Sequence, residues 1–194
     1  MAKEIRGSLF EKKFHRLNVY IIHRVNCVST VREDLAKRLI ERFGVRADVY
    51  AKRSQISAKN VTATKETRDV IGSVEISEGE PNIVAMYAQF NYGVSDGTQQ
   101  FVKEYEDDIA LQRAKTRDTR ENRKKYFKKC LETLRKKILK GKKDNITILF
   151  PYGIGAEGNY REWYTEWTSY ENMIKKFAEK LRKKNSSIEI FIIQ

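Results

Sequence analysis

The chain has 194 residues, 34% of them charged and 40% hydrophobic, and its 39 Lys and Arg against 26 Asp and Glu give a formal net charge of +13. That length suits one domain with a sizeable core, and nine Phe, ten Tyr and two Trp oppose disorder because aromatic rings supply much apolar area. No apolar run approaches the roughly 18 residues of a membrane-spanning helix, the opening MAKEIR lacks a secretory apolar region, and two distant cysteines with two histidines argue against a structural zinc site or disulfide framework. The expectation is one soluble, intracellular domain over 1–194, with no metal, cofactor or membrane partner and an open oligomeric state.

Four stretches read as strands covered on both faces: 18–26 (NVYIIHRVN), 82–90 (NIVAMYAQF), 145–150 (NITILF) and 187–193 (SIEIFII). Residues 5–10 and 69–76 alternate more weakly, as edge strands do. Helical spacing runs over 31–43, with Leu35, Leu39 and Phe43 on one side and Gly44 behind it. It recurs over 119–140, which ends at Gly141, and over 160–184. Residues 91–118 have no clean period and carry an acidic cluster at 104–108, reading as a surface excursion or an irregular helix. Alternating strands and helices predict an α/β fold, a mostly parallel or mixed sheet between helices.

The positive charge is concentrated. Residues 119–143 hold twelve basic and two acidic side chains, and residues 170–184 hold six and two, so these segments account for the whole excess. Arg123, Lys124, Lys125, Lys128, Lys129, Lys136 and Lys137 belong to the first. Two readings stay open: a solvated outer face, or an electrostatic footprint for RNA, DNA or an acidic protein surface.

The loop 151–159 (PYGIGAEGN) follows a buried strand and opens a helix. Three glycines free its backbone for close approach to a ligand, and the helix behind presents unpaired N–H groups, the usual setting for phosphate in α/β sheets. A tight turn needing glycine for sterics alone gives the same pattern. The stretch His23-Arg24-Val25-Asn26-Cys27 ends the first strong strand and shares that rim if the two strands run parallel. Asn26 there suits a ribose hydroxyl, and His23 suits proton transfer or an ordinary core position.

Together these pieces resemble the macro domain family, the three-layer α/β/α module that binds ADP-ribose. Residues 21–27 (IIHRVNC) are similar to the family's His-x-Val-Asn-Cys strand end, 82–89 to its middle strand, 148–155 (ILFPYGIG) to its phosphate loop, and Trp163 to a tryptophan that follows that loop. The similarity is greatest to the branch that processes ADP-ribose-1″-phosphate and ADP-ribosyl esters. The resemblance implies a macro-like fold with a central mixed sheet. It also implies a ligand site built from Ser8, Asn26, Cys27, Tyr152, Gly153, Ile154, Gly155, Ala156, Glu157, Gly158 and Asn159, with His23, Asn26 and Glu162 as candidates for catalysis.

The sequence departs from the family in three places. Val31-Arg32-Glu33-Asp34-Leu35 stands where the family has its first glycine loop, and Ser8 where an Asp contacts adenine. Gln89 stands at a nucleophilic Lys of one hydrolase branch, with Asn159 at its partner Asp; neither amide forms a Schiff base or accepts a proton. The expected function is binding of ADP-ribose or a related nucleotide phosphate, with hydrolysis of ADP-ribose-1″-phosphate or ADP-ribosyl linkages open. The alternative is a decayed macro-like scaffold serving as a basic nucleic-acid-binding or assembly module.

Overall fold

The computed structural model describes residues 2–32, 34–58, 60–91, 95, 118–141 and 144–194. Among them the chain forms strands β1 (Lys3–Ile5), β2 (Val19–Asn26), β3 (Gln55–Ser57), β4 (Asn60–Ala63), β5 (Val74–Ser77), β6 (Asn82–Gln89), β7 (Thr147–Pro151) and β8 (Glu189–Ile193). Its helices are α1 (Asp34–Phe43), α2 (Arg120–Lys140) and α3 (Tyr160–Arg182). Six strands make one sheet in the order β1-β8-β7-β2-β6-β5, and β3 pairs with β4 in a separate hairpin. The pairings β1/β8, β8/β7, β7/β2 and β2/β6 are parallel, and β5 runs antiparallel to β6 at the edge. The sheet is mixed, as expected.

The period of two along β2 shows why its sequence is almost wholly apolar. Tyr20 and Ile22 enter the cluster built with Phe127, Leu134, Tyr170 and Ile174 of α2 and α3. Val19 and Ile21 join Leu39 of α1 on the opposite face, and Val25 joins Ala36. Both faces are covered, giving three layers.

Local signals set the helix limits. The Thr119 hydroxyl accepts the Asn122 N–H at 3.2 Å to cap α2, and the Asn159 side chain accepts the Glu162 N–H at 3.2 Å to cap α3. Gly44, at φ 75°, closes α1 and donates to the Ile40 carbonyl at 2.8 Å.

Two strand limits differ from the sequence expectation. The first strand is residues 3–5 rather than 5–10, because the Glu11 carboxylate takes the Ser8 N–H at 2.9 Å and the Ser8 hydroxyl takes the Phe10 N–H at 3.2 Å. Those bonds close a turn. The strand expected at 69–76 begins at Val74, after a turn at Gly72 with φ 78°. The hairpin β3–β4, exposed along β3 but with Thr62 and Ala63 of β4 fully buried, lacks an apolar alternation and is not among the expected elements. Most of the 91–118 excursion lies outside the described residues. No helix among the described residues is long and apolar enough to cross a membrane.

Candidate functional site

Parallel pairing of β2 with β7 (Val19 with Thr147, Ile21 with Leu149) brings their carboxyl ends to one rim of the sheet. A cleft of about 670 Å³ opens there. The turn after β1, including Ser8 and Phe10, forms one wall, and Asp34, Leu35 and Arg38 of α1 form another. The loop after β7, through Gly155, closes the third side, with Arg24 of β2 beside it.

That loop requires its glycines. Gly153 has φ 75° and Gly155 φ 89°. A Cβ at 153 would lie 2.6 Å from Trp163 Cζ2, and one at 155 would lie 2.5 Å from Tyr170 Cε1. The loop is pressed onto the aromatic side chains of α3. Several amides are consumed internally: Tyr152 donates to Ile193 O at 2.9 Å, Ile154 to Pro151 O at 3.2 Å and Ala156 to Gly153 O at 3.0 Å. The Glu157 N–H donates to Glu166 Oε2 at 3.0 Å. The N–H groups of Gly153 and Gly155 are bonded to no acceptor among the described residues, leaving two donors in the cleft wall.

Arg24 links this wall to a buried ionic network. Its Nη1 donates to Gly155 O at 3.3 Å and to Glu157 Oε1 at 3.0 Å, with its side chain 17% exposed. Glu157 also accepts from Arg123 Nη1 at 2.5 Å and from the Ser95 N–H at 2.5 Å. Burial opposes its charge, but Arg123 and Arg24 outweigh that and hold the carboxyl below its usual range. Arg123 in turn grips Asp118 through Nε at 3.0 Å and Nη2 at 2.6 Å. Arg38 lies over the Phe10 ring at 4.7 Å, so the cleft carries Arg24 and Arg38 against Asp34.

Several expected site residues stand elsewhere. Asn26 is fully buried, its Oδ1 accepting from the Ser29 N–H at 2.7 Å and from Arg53 Nη1 at 3.2 Å. Arg53 Nη2 also donates to Asn26 O and to Asp69 Oδ2, both at 2.6 Å. Asn26 thus anchors a bulge at the end of β2 and does not line the cleft. Cys27 is fully buried, which pushes its thiol far above the usual range. His23 sits between Ile21 and Val25 on the α1 face, and burial lowers its pKa to about 4. It is a core histidine rather than a proton handler at the cleft. Glu162 pairs with Arg120 at 2.9 Å, and Asn159 serves as a helix cap. Ser8, Tyr152, Gly153, Ile154 and Gly155 do line the cleft, whereas Ala156, Glu157 and Gly158 do not.

Arg24, Asp34 and Arg38 were absent from the sequence expectation. Arg32 of the altered first loop turns to Asp48, with Nε at 2.9 Å and Nη2 at 2.7 Å, and leaves the cleft open; Glu33 lies outside the described residues. Among the basic residues of α2, Arg123 is 1% exposed and committed to the ionic network, so it offers no surface contact. Lys124 lies within 4 Å of Glu121 and Glu166, while Lys125, Lys128, Lys129, Lys136 and Lys137 are exposed.

A mixed six-stranded sheet between helix layers, with a cleft at the carboxyl rim of its central strands, places the chain among three-layer α/β/α domains. Within that class the chain has the macrodomain fold. It is similar in structure to the macrodomain of DarG from Thermus aquaticus, with TM-score 0.62, 15% identity, and 100% of this chain and 98% of that one covered. It is also similar to the macrodomain of DarG from Mycobacterium tuberculosis, with TM-score 0.58, 14% identity and coverage of 100% and 97%. No protein-family model matches the sequence, and no curated protein does.

Proposed function

We propose that the chain is a macro-type module that binds ADP-ribose or a related nucleotide phosphate in the cleft beside the loop after β7. One observation carries this reading: two uncommitted amides, of Gly153 and Gly155, lie in the wall of a cleft of about 670 Å³ next to the Arg24 guanidinium. The volume falls within the ordinary size of small-molecule sites. Backbone N–H groups and a guanidinium suit phosphate oxygens, which accept several charge-assisted bonds at once. Arg38 adds a second cation at the α1 wall, and the Ser8 turn takes the base end as the family resemblance implies. The reading is one of binding rather than turnover, because neither His23 nor Glu162 lines the cleft.

Calorimetry tests it directly. ADP-ribose is expected to give a saturable isotherm, with adenosine, which lacks phosphate, at least tenfold weaker. Equal affinity for both, or no heat at millimolar ADP-ribose, contradicts the reading. Phosphate release from ADP-ribose-1″-phosphate in the same samples tests hydrolysis, and none is expected.

A second reading, a basic nucleic-acid-binding or assembly module, is favoured by the exposed Lys125, Lys128, Lys129, Lys136 and Lys137 on α2. It requires single-stranded RNA binding that weakens with salt as counterions are released. Lys125→Glu with Lys129→Glu should reduce that affinity; an unchanged value removes this face as the contact.

A further inference from the structure

A second concavity lies on the far side of the sheet, between α2 and α3. It is a groove of about 160 Å³, room for one aromatic or leucine-sized group. Its lining residues step i, i+3, i+4, i+7 on each helix, from Lys128 to Arg135 on α2 and from Met173 to Lys180 on α3. Each helix therefore turns one full stripe toward the groove. Leu131, Met173 and Phe177 form an apolar floor, and Lys128, Arg135, Lys176 and Lys180 form the rim.

None of these four cations has a carboxylate within 4 Å among the described residues, and Glu132 is the sole acid among the lining residues. The Arg135 Nε is buried without a hydrogen-bond partner among the described residues, so its cost is not met from within the described chain.

From this arrangement we infer that the groove docks an acidic amphipathic helix of a partner protein. Its apolar ridge fills the floor over Leu131, Met173 and Phe177, while carboxylates on its flanks meet the four cations. Charge complementarity selects an acidic partner, and the paired heptad stripes select a helix. A nucleic-acid strand fits less well, because phosphates would ride on the rim, leave the floor unfilled and face Glu132. The exposed Lys125, Lys129 and Lys136 lie further round α2, outside the groove lining. This inference is independent of ligand binding at the cleft.

The test uses the full chain and fluorescence anisotropy at low and moderate salt. The probes are a labelled 20-residue peptide with Leu on an i, i+3, i+4, i+7 stripe and Glu elsewhere, a scrambled peptide of the same composition, and single-stranded dT20. The striped peptide is expected to bind at least fivefold tighter than the scramble. Lys176→Glu with Lys180→Glu should weaken it at least tenfold, and Met173→Glu should do the same by charging the floor. Circular dichroism and thermal melts matching wild type confirm that these variants fold. Equal affinity for the two peptides, failure of the striped peptide to bind, or loss of dT20 rather than peptide binding in the groove variants overturns the inference.

Discussion

His23 offers a quantitative check on the way the core is built. It lies 1% exposed on the α1 face of β2, its Nε2 without a hydrogen-bond partner among the described residues, and burial drives its pKa from 6.5 to about 4. A neutral imidazole is favoured in the fold, whereas the unfolded chain takes up a proton below 6.5. Stability from this group is therefore complete above pH 6.5 and drains away as the pH falls toward 4. The full difference is roughly 3 kcal/mol, of which about 2 kcal/mol is lost between pH 7.5 and 5.0. Urea unfolding of the wild type and His23→Leu at those two pH values isolates the effect. The variant keeps the side-chain volume, so its stability at pH 7.5 should lie within about 1.5 kcal/mol of wild type. The wild type should lose about 2 kcal/mol more than the variant on acidification. Equal losses, or an imidazole that titrates near 6.5 by NMR, would refute the placement of His23 in the core.

Gly155→Ala should cost about 2–5 kcal/mol in urea unfolding, summing a left-handed backbone penalty of about 1–2 kcal/mol and overpacking against Tyr170 of about 1–3 kcal/mol; Tyr170 cannot yield easily because it packs edge-on against Phe127 at 4.9 Å. Arg53→Met leaves the Asp69 carboxylate and the Asn26 backbone short of a donor, and because Lys52 still reaches Asp69 at 2.8 Å the cost should fall at the lower end for a broken buried pair, about 3 kcal/mol by the same melts. Arg24→Met removes one charge-assisted contact worth about 1.5–3 kcal/mol, so ADP-ribose affinity by calorimetry should fall roughly 10- to 100-fold while the fold persists through the Arg123–Glu157 pair.

The strands of the core and the loop after β7 were legible because their signals are local. Branched and aromatic runs mark β2, β6, β7 and β8, and three glycines in the stretch 153–158 mark a backbone with positive φ. Arg123 was misread as a surface cation, although its spacing to Phe127, Cys130 and Leu134 places it on the buried stripe of α2. What the spacing could not give is its partner Glu157, which lies 34 positions on. Parity with Ile21 and Val25 puts His23 on the α1 face, again a readable signal. Arg53, by contrast, sits in a stretch without periodicity and meets Asn26 across 27 positions. Asp34 and Arg38 join the cleft only because α1 packs across the rim, a tertiary fact with no local trace.

The two uncommitted amides of the loop after β7, Gly153 and Gly155, are the centre of the proposed site. Titrating ADP-ribose into ¹⁵N-labelled chain and following the backbone amide resonances reports on them one by one. Saturable shifts should be largest at Gly153 and Gly155, moving in the direction of stronger hydrogen bonds, with smaller ones at Ser8 and Leu35. Shifts that fail to saturate, or that gather on α2 while both glycines stay still, would contradict the assignment of the cleft.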